Sequence, residues 1–250
     1  MTPGSLNMLF FRLCAATLML GLSAFGGGCV TSMMPGDLAQ VQPTSDTARA
    51  GRVYLIRGWS GAFSWGIDDL ARELKAQGVS AHVFQSDQRV VLAQTLVERY
   101  RGAKDPEPLC LIAHSQGSDD ALFIASELSK ANVAVDLLLT LDNVDLTTVS
   151  KNVRLAYHYW KPGSGDSNFL RGLPLTPEPG STGRVINVNI AEDGKGLTEP
   201  NASHVTMDKD TKLRGHLVNH VLAACPERAA WAATRGKAGA VLLNNNGPRR

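Results

Sequence analysis

Residues 109–117 read Leu109-Cys110-Leu111-Ile112-Ala113-His114-Ser115-Gln116-Gly117. The apolar run 109–113 predicts a strand, and residues 116–130 carry the spacing of a helix. Ser115 therefore sits on a very tight strand-to-helix turn. Such a turn strains the backbone, so the positions two before and two after must be small. Gly117 and Ala113 meet that demand. The turn leaves the Ser115 hydroxyl pointing outward. The helix from Gln116 aims its first amides at an oxygen bound there, where negative charge would develop.

The same alternation continues outward. Arg52–Ile56, residues 79–84, residues 133–141, Val153–Tyr159 and Val185–Ile190 read as further strands. Helices are expected around Ile67–Leu74, over 90–101 and around Leu213–Val221, where apolar residues recur at helical spacing. Strands alternating with helices predict βαβ units and a mostly parallel central sheet of about six strands, with helices on both faces. Residues 161–184 hold several Gly and Pro and little periodicity. They read as a long loop of the kind that serves as a lid or binding segment.

A serine nucleophile needs a base, and the base needs an acid that sets its tautomer and steadies its cation. In this architecture the expected chain order is Ser, acid, His. Asp142 ends the strand after the Ser115 strand, and the carboxyl ends of parallel strands are where site groups collect. Asp145 is its nearest rival and Asp166 a weaker one; Asp136 starts its strand, at the wrong end of the sheet. Of the histidines, His82 precedes the serine, His114 should turn its ring away from the Ser115 hydroxyl, and His158 is inside a strand. His204 lies in a loop between the last strand and the last helix, the right place for a base, with His216 as fallback. His216 and His220 share a helix face, but no acidic or Cys partner stands at metal-ligand spacing. No metal and no cofactor are expected. Two backbone amides should form an oxyanion site: that of Gln116, and that of Trp59 in the loop Arg57-Gly58-Trp59-Ser60-Gly61. Gly58 allows close backbone approach there.

Those residues, with Ser203-His204-Val205-Thr206-Met207-Asp208, give residues 52–225 a resemblance to the α/β-hydrolase superfamily, most similar to its bacterial lipase- and thioesterase-like members. The resemblance implies the α/β-hydrolase fold, attack by Ser115, an acyl-enzyme, and release by water. Arg57 departs from the His often found before that Gly, and Ala113 from the usual first Gly. The activity implied is carboxylic ester hydrolysis. A thioesterase or acyltransferase with the same triad, and a non-catalytic binding module on the same scaffold, are the alternatives.

The flanks supply a place. Residues 1–28 read as a signal peptide, with a basic residue, the apolar run Met8–Ala24 and small residues before Cys29. Cys29 then reads as a lipidation site, which would hold the domain to a membrane surface by acyl chains. Val30 rather than Asp after it leans to the outer membrane, so an envelope lipoprotein is expected. Residues 29–50, rich in Thr, Ser, Pro and Gln, read as a flexible tether, residues 51–230 as the hydrolase domain, and residues 231–250 as a frayed tail. Cys110 and Cys225 are expected as free thiols. With 25 basic and 23 acidic residues and a net charge of +2, no basic stripe marks a nucleic-acid partner.

Overall fold

Six parallel strands build the central sheet: β1 (Arg52–Ile56), β2 (Ser80–Phe84), β3 (Leu109–His114), β4 (Leu137–Leu141), β6 (Leu155–Trp160) and β8 (Arg184–Asn189). Their order is β2-β1-β3-β4-β6-β8, and every pairing is parallel. The structure is a computed structural model, and it describes residues 34–58, 64–163, 172–192 and 196–235. The expected mostly parallel six-stranded α/β sheet is therefore what the chain forms. Parallel strands need crossovers, and helices α1 (Trp65–Ala76), α2 (Arg89–Tyr100) and α3 (Gln116–Lys130) supply those from β1 to β2, β2 to β3 and β3 to β4. Helix α4 (Thr211–Ala224) follows β8.

Side chains alternate across the strands into two cores. Tyr54, Ile56, Leu111 and Leu138 pack with Leu92 and Leu96 of α2 and Ile124 and Leu128 of α3. Val53, Leu55, Ile112 and Leu139 pack with Ile67, Leu70 and Leu74 of α1 and Leu213, Leu217 and Val221 of α4. A sheet covered on both faces explains why its strands read as nearly continuous apolar runs. From β1 the chain steps outward to β2, then returns to the other side of β1 as β3. The carboxyl ends of β1 and β3 thus flank a topological switch point, where open α/β sheets leave a crevice.

Four readings are corrected. Residues 35–50 are not a free tether: Val41 and Ala50 are fully buried. Glu107 accepts hydrogen bonds from the Ser45 amide at 3.0 Å and the Gly51 amide at 2.9 Å. Polar composition here serves buried carboxylate and tyrosine partners, among them the Tyr54 hydroxyl, which donates to the Gln42 carbonyl. The long loop holds a strand, β7 (Thr176–Pro177), which pairs with β5 (Thr148–Val149) in a small second sheet. The strand expected from 133 begins at Leu137, with only an isolated bridge at Val135 before it. Residues 231–235, expected in the frayed tail, are helical together with 228–230, and Arg228 reaches back to Glu107 at 2.8 Å. Residues 1–33 and 236–250, with Cys29, lie outside the described residues. Cys110 and Cys225 are free, buried thiols whose sulfurs lie 3.8 Å apart.

His158 of β6 is fully buried, with Nδ1 2.8 Å from the Thr140 hydroxyl. Its Nε2 finds no hydrogen-bond partner among the described residues. Burial pushes it down to about 4 from an ordinary 6.5, against the pull of Asp142. The unfolded chain therefore takes a proton below pH 6.5 that the folded chain refuses until near pH 4. Stability from this group is complete above pH 6.5 and falls as pH drops through that window. Between pH 7 and pH 5 the loss should be about 2 kcal/mol. In His158→Asn, urea unfolding should show that part of the acid sensitivity gone.

Candidate active site

The turn after β3 is built as its sequence demands. Ser115 has φ 59° and ψ −132°, a conformation that side-chain-bearing residues rarely adopt. The strain is held by the surroundings. The Ser115 amide donates to the Leu141 carbonyl at 2.8 Å, which carries the β3–β4 ladder into the turn. The Ser118 amide donates to the Ser115 carbonyl at 2.8 Å, and its hydroxyl donates to the Leu141 carbonyl at 3.0 Å. Gly117 is where α3 meets β1. A Cβ there would lie 2.6 Å from the Ile56 carbonyl oxygen and 2.7 Å from that of Arg57. Neither is a side chain that can move aside. Gly117→Ala should therefore cost about 2 kcal/mol or more of stability, seen as a lower urea midpoint with unchanged slope.

Three of the expected residues come together at the carboxyl edge of the sheet. Ser115 Oγ lies 2.7 Å from His204 Nε2. His204 Nδ1 lies 2.9 Å from Asp142 Oδ2. Asp142 is fully buried and His204 is 4% exposed, so the pair is shielded from water while Ser115 stays partly accessible. Asp142 sits just past β4 with φ 46° and donates its amide to the Tyr159 carbonyl at 2.9 Å. Its second carboxylate oxygen accepts the Lys161 amide at 3.2 Å. The carboxylate is thereby held with one oxygen on the backbone and one on the imidazole.

The other candidates fall elsewhere. Asp145 is exposed, and its amide donates to Asp119 at 3.0 Å. Asp136 lies at the amino end of β4, where it accepts the Leu109 amide at 2.9 Å and pairs with Arg154. His220 of α4 stacks on Tyr157, ring centroids 3.9 Å apart, and its Nε2 is 2.8 Å from the Tyr159 hydroxyl. His216 shares its helix, and the imidazole bonded to Ser115 is that of His204. His82 is in β2, beside Ser80. Among the described residues, no group of His, Cys, Asp and Glu is arranged to hold a metal ion. Asp166 and Trp59 lie outside the described residues. Gln116 opens α3, so its amide is one of the first-turn donors that no carbonyl of the helix accepts.

Several supporting contacts went unnoticed in the sequence. Asp119 accepts the amides of Val144, Asp145 and Leu146 at 3.1, 3.0 and 2.6 Å, bracing the loop that follows Asp142. Arg57 is buried, and its Nε makes a 2.8 Å ion-paired bond to Asp68. Gly58 packs on the turn itself, where a Cβ would come within 3.2 Å of the Ser115 Cβ. His114 turns away from the Ser115 hydroxyl, as expected, and its Nε2 lies 2.7 Å from the main-chain carbonyl of His204.

No protein-family model and no curated protein matches the chain. Among solved structures it is similar to an α/β serine hydrolase without a lid from Xanthomonas campestris, at 16% identity, 74% of this chain, 84% of that one and a TM-score of 0.44. A thioesterase domain, NocB of a nocardicin cluster, matches at 16% identity over 71% of this chain and 94% of that one, with a TM-score of 0.44. Est1E from Butyrivibrio proteoclasticus matches at 10% identity over 71% of this chain and 89% of that one, with a TM-score of 0.42.

Proposed function

We propose that this protein is a serine hydrolase that cleaves carboxylic ester bonds through an acyl-enzyme at the cell envelope. The observation that carries the reading is the line Ser115 Oγ, His204 ring, Asp142 carboxylate, closed at 2.7 Å and 2.9 Å. Asp142 can only accept from Nδ1–H, so Nε2 is left with the lone pair that takes the Ser115 proton. Ser115 then attacks the acyl carbon, and His204 returns the proton to the leaving alkoxide. Water repeats the sequence to free the acid. The Gln116 amide, with that of Trp59, would bind the oxyanion.

A binding module would have no use for a strained serine facing a paired histidine, since the strain stabilises nothing in the fold. Segments that follow the carboxyl ends of the strands also expose apolar side chains. Trp65, Leu146 and Val205, each in a segment that follows the end of β1, β4 or β8, are 46%, 42% and 52% exposed. Such a rim favours an apolar acyl group. Acylation of Cys29 would keep the enzyme on a membrane, where such esters collect. Palmitate label lost in Cys29→Ala supports the anchor, and no label on the unsubstituted chain counts against it.

A panel of p-nitrophenyl esters and acyl thioesters tests the reading. Ester turnover that Ser115→Ala abolishes supports it. Turnover confined to thioesters moves the protein to the thioesterases, and turnover of neither, at any chain length, overturns it.

A further inference from the structure

We propose that His114 is a positioning residue: its ring passes a one-way hydrogen-bond relay from the Gly58 amide, through the Ser64 hydroxyl, to the main chain of His204. The relay ties the loop after β1 to the loop that carries the base, and it rests on the serine-hydrolase reading for its catalytic meaning.

The direction of each bond follows from its ends. His114 Nε2 lies 2.7 Å from the His204 carbonyl oxygen. A carbonyl only accepts, so Nε2 carries a hydrogen. Burial, at 1% exposure, holds His114 below the ordinary histidine value, ahead of the opposing pull of Asp208, so the ring is neutral. A neutral ring with Nε2–H has its lone pair on Nδ1. The partner of Nδ1 is Ser64 Oγ at 3.0 Å, which must therefore donate. The Ser64 oxygen in turn accepts the Gly58 amide at 3.0 Å. In a neutral ring the Nδ1 link cannot reverse without setting a bare Nε2 against the His204 carbonyl, an acceptor facing an acceptor.

Ser64 confirms the assignment by what it does not do. It occupies the N-cap position of α1, where a serine hydroxyl ordinarily accepts an amide of the first turn. Here it makes no capping bond. The carboxylate of Asp208, four residues beyond His204, accepts the Gly66 amide at 2.9 Å instead. The helix end is thus capped from the base loop, and the serine is released to the relay. Both links join the same two segments, the start of α1 and residues 204–208. The relay also occupies the Gly58 amide, so that amide is not free to bind an oxyanion.

Without the relay the His204 loop loses a main-chain tie to the Ser115 turn, and a displacement of about 1 Å in a reacting group can cost 10²-fold in rate. The effect should fall on the chemical step and not on substrate affinity. Full-length protein labelled with ¹⁵N-histidine tests the tautomer. The expected long-range ¹H–¹⁵N spectrum shows His114 neutral with Nε2–H at pH 7, and its Nδ1 signal moves in Ser64→Ala. A Nδ1–H or cationic ring, or an unmoved signal, overturns the relay. Inactivation by a fluorophosphonate supplies the second measurement. Ser64→Ala and His114→Ala should each slow it by about tenfold or more, and the double variant should be no slower than the slower single. His114→Gln, which keeps an N–H for the carbonyl, should recover part of the rate. Singles at the unsubstituted rate, or effects that multiply, overturn the relay. If a variant does not fold, the tautomer of the unsubstituted chain decides. If the unsubstituted chain is never labelled, the hydrolase reading fails while the tautomer still judges the relay.

Discussion

Ser115→Ala lowers ester turnover by about 10⁶-fold and leaves the melting temperature unchanged. The first half follows from losing the oxygen hydrogen-bonded to His204 Nε2, at 2.7 Å, so that the base has no proton to take. What turnover remains would come from the oxyanion amides and substrate binding alone. The second half follows from where the strain is stored. The φ of 59° belongs to a turn held by main-chain bonds, from the Ser115 amide to Leu141 and from the Ser118 amide to the Ser115 carbonyl. Alanine keeps those bonds and the Cβ. The hydroxyl is partly accessible, so water can replace it at the imidazole. Turnover of a p-nitrophenyl ester beside a calorimetric scan checks both halves. A large fall in melting temperature would show that Ser115 holds the fold.

Asp142→Asn lowers turnover by about 10⁴-fold. The carboxylate accepts at both oxygens, from His204 Nδ1 at 2.9 Å and from the Lys161 amide at 3.2 Å. An asparagine has one oxygen and one NH₂. If the oxygen faces His204, the NH₂ confronts the Lys161 N–H. If it faces Lys161, His204 must turn its lone pair to Nδ1 and present Nε2–H to Ser115, which removes the base. Either way the buried negative charge that steadies the imidazolium is gone. The measurement is kcat across pH with the same ester. Activity within tenfold of the unsubstituted chain would mean that another carboxylate serves His204. Asp145 is poorly placed for that, being exposed and attached through its amide to Asp119.

Much of this arrangement was legible because it is local. The strand over 109–114 and the helix over 116–130 follow from an apolar run, a small residue and a helical spacing, all within a few turns of chain. Asp142 and His204 were legible from chain order and from their places after strands. The parallel sheet followed from alternation of strand and helix, while the order of its strands was not read from the sequence. What escaped is long-range and polar. Nothing near Ser64 tells that its hydroxyl faces His114, fifty residues on, rather than the start of its own helix. Asp119, in the first turn of α3, drew no notice in the sequence, yet three amides of the loop after β4 converge on it. Residues 35–50 looked like a tether by composition, because the partners that pin them, Glu107 and Arg228, are distant in sequence. The two-residue strands β5 and β7 are too short for any periodicity to show.

The central claim is that Ser115 is a nucleophile activated by His204. Treating the protein with a fluorophosphonate and mapping the adduct by peptide mass spectrometry tests it most directly. The account predicts one adduct per chain, on Ser115, lost in Ser115→Ala and strongly slowed in His204→Ala. No adduct, or an adduct on any other residue that persists in Ser115→Ala, would contradict it.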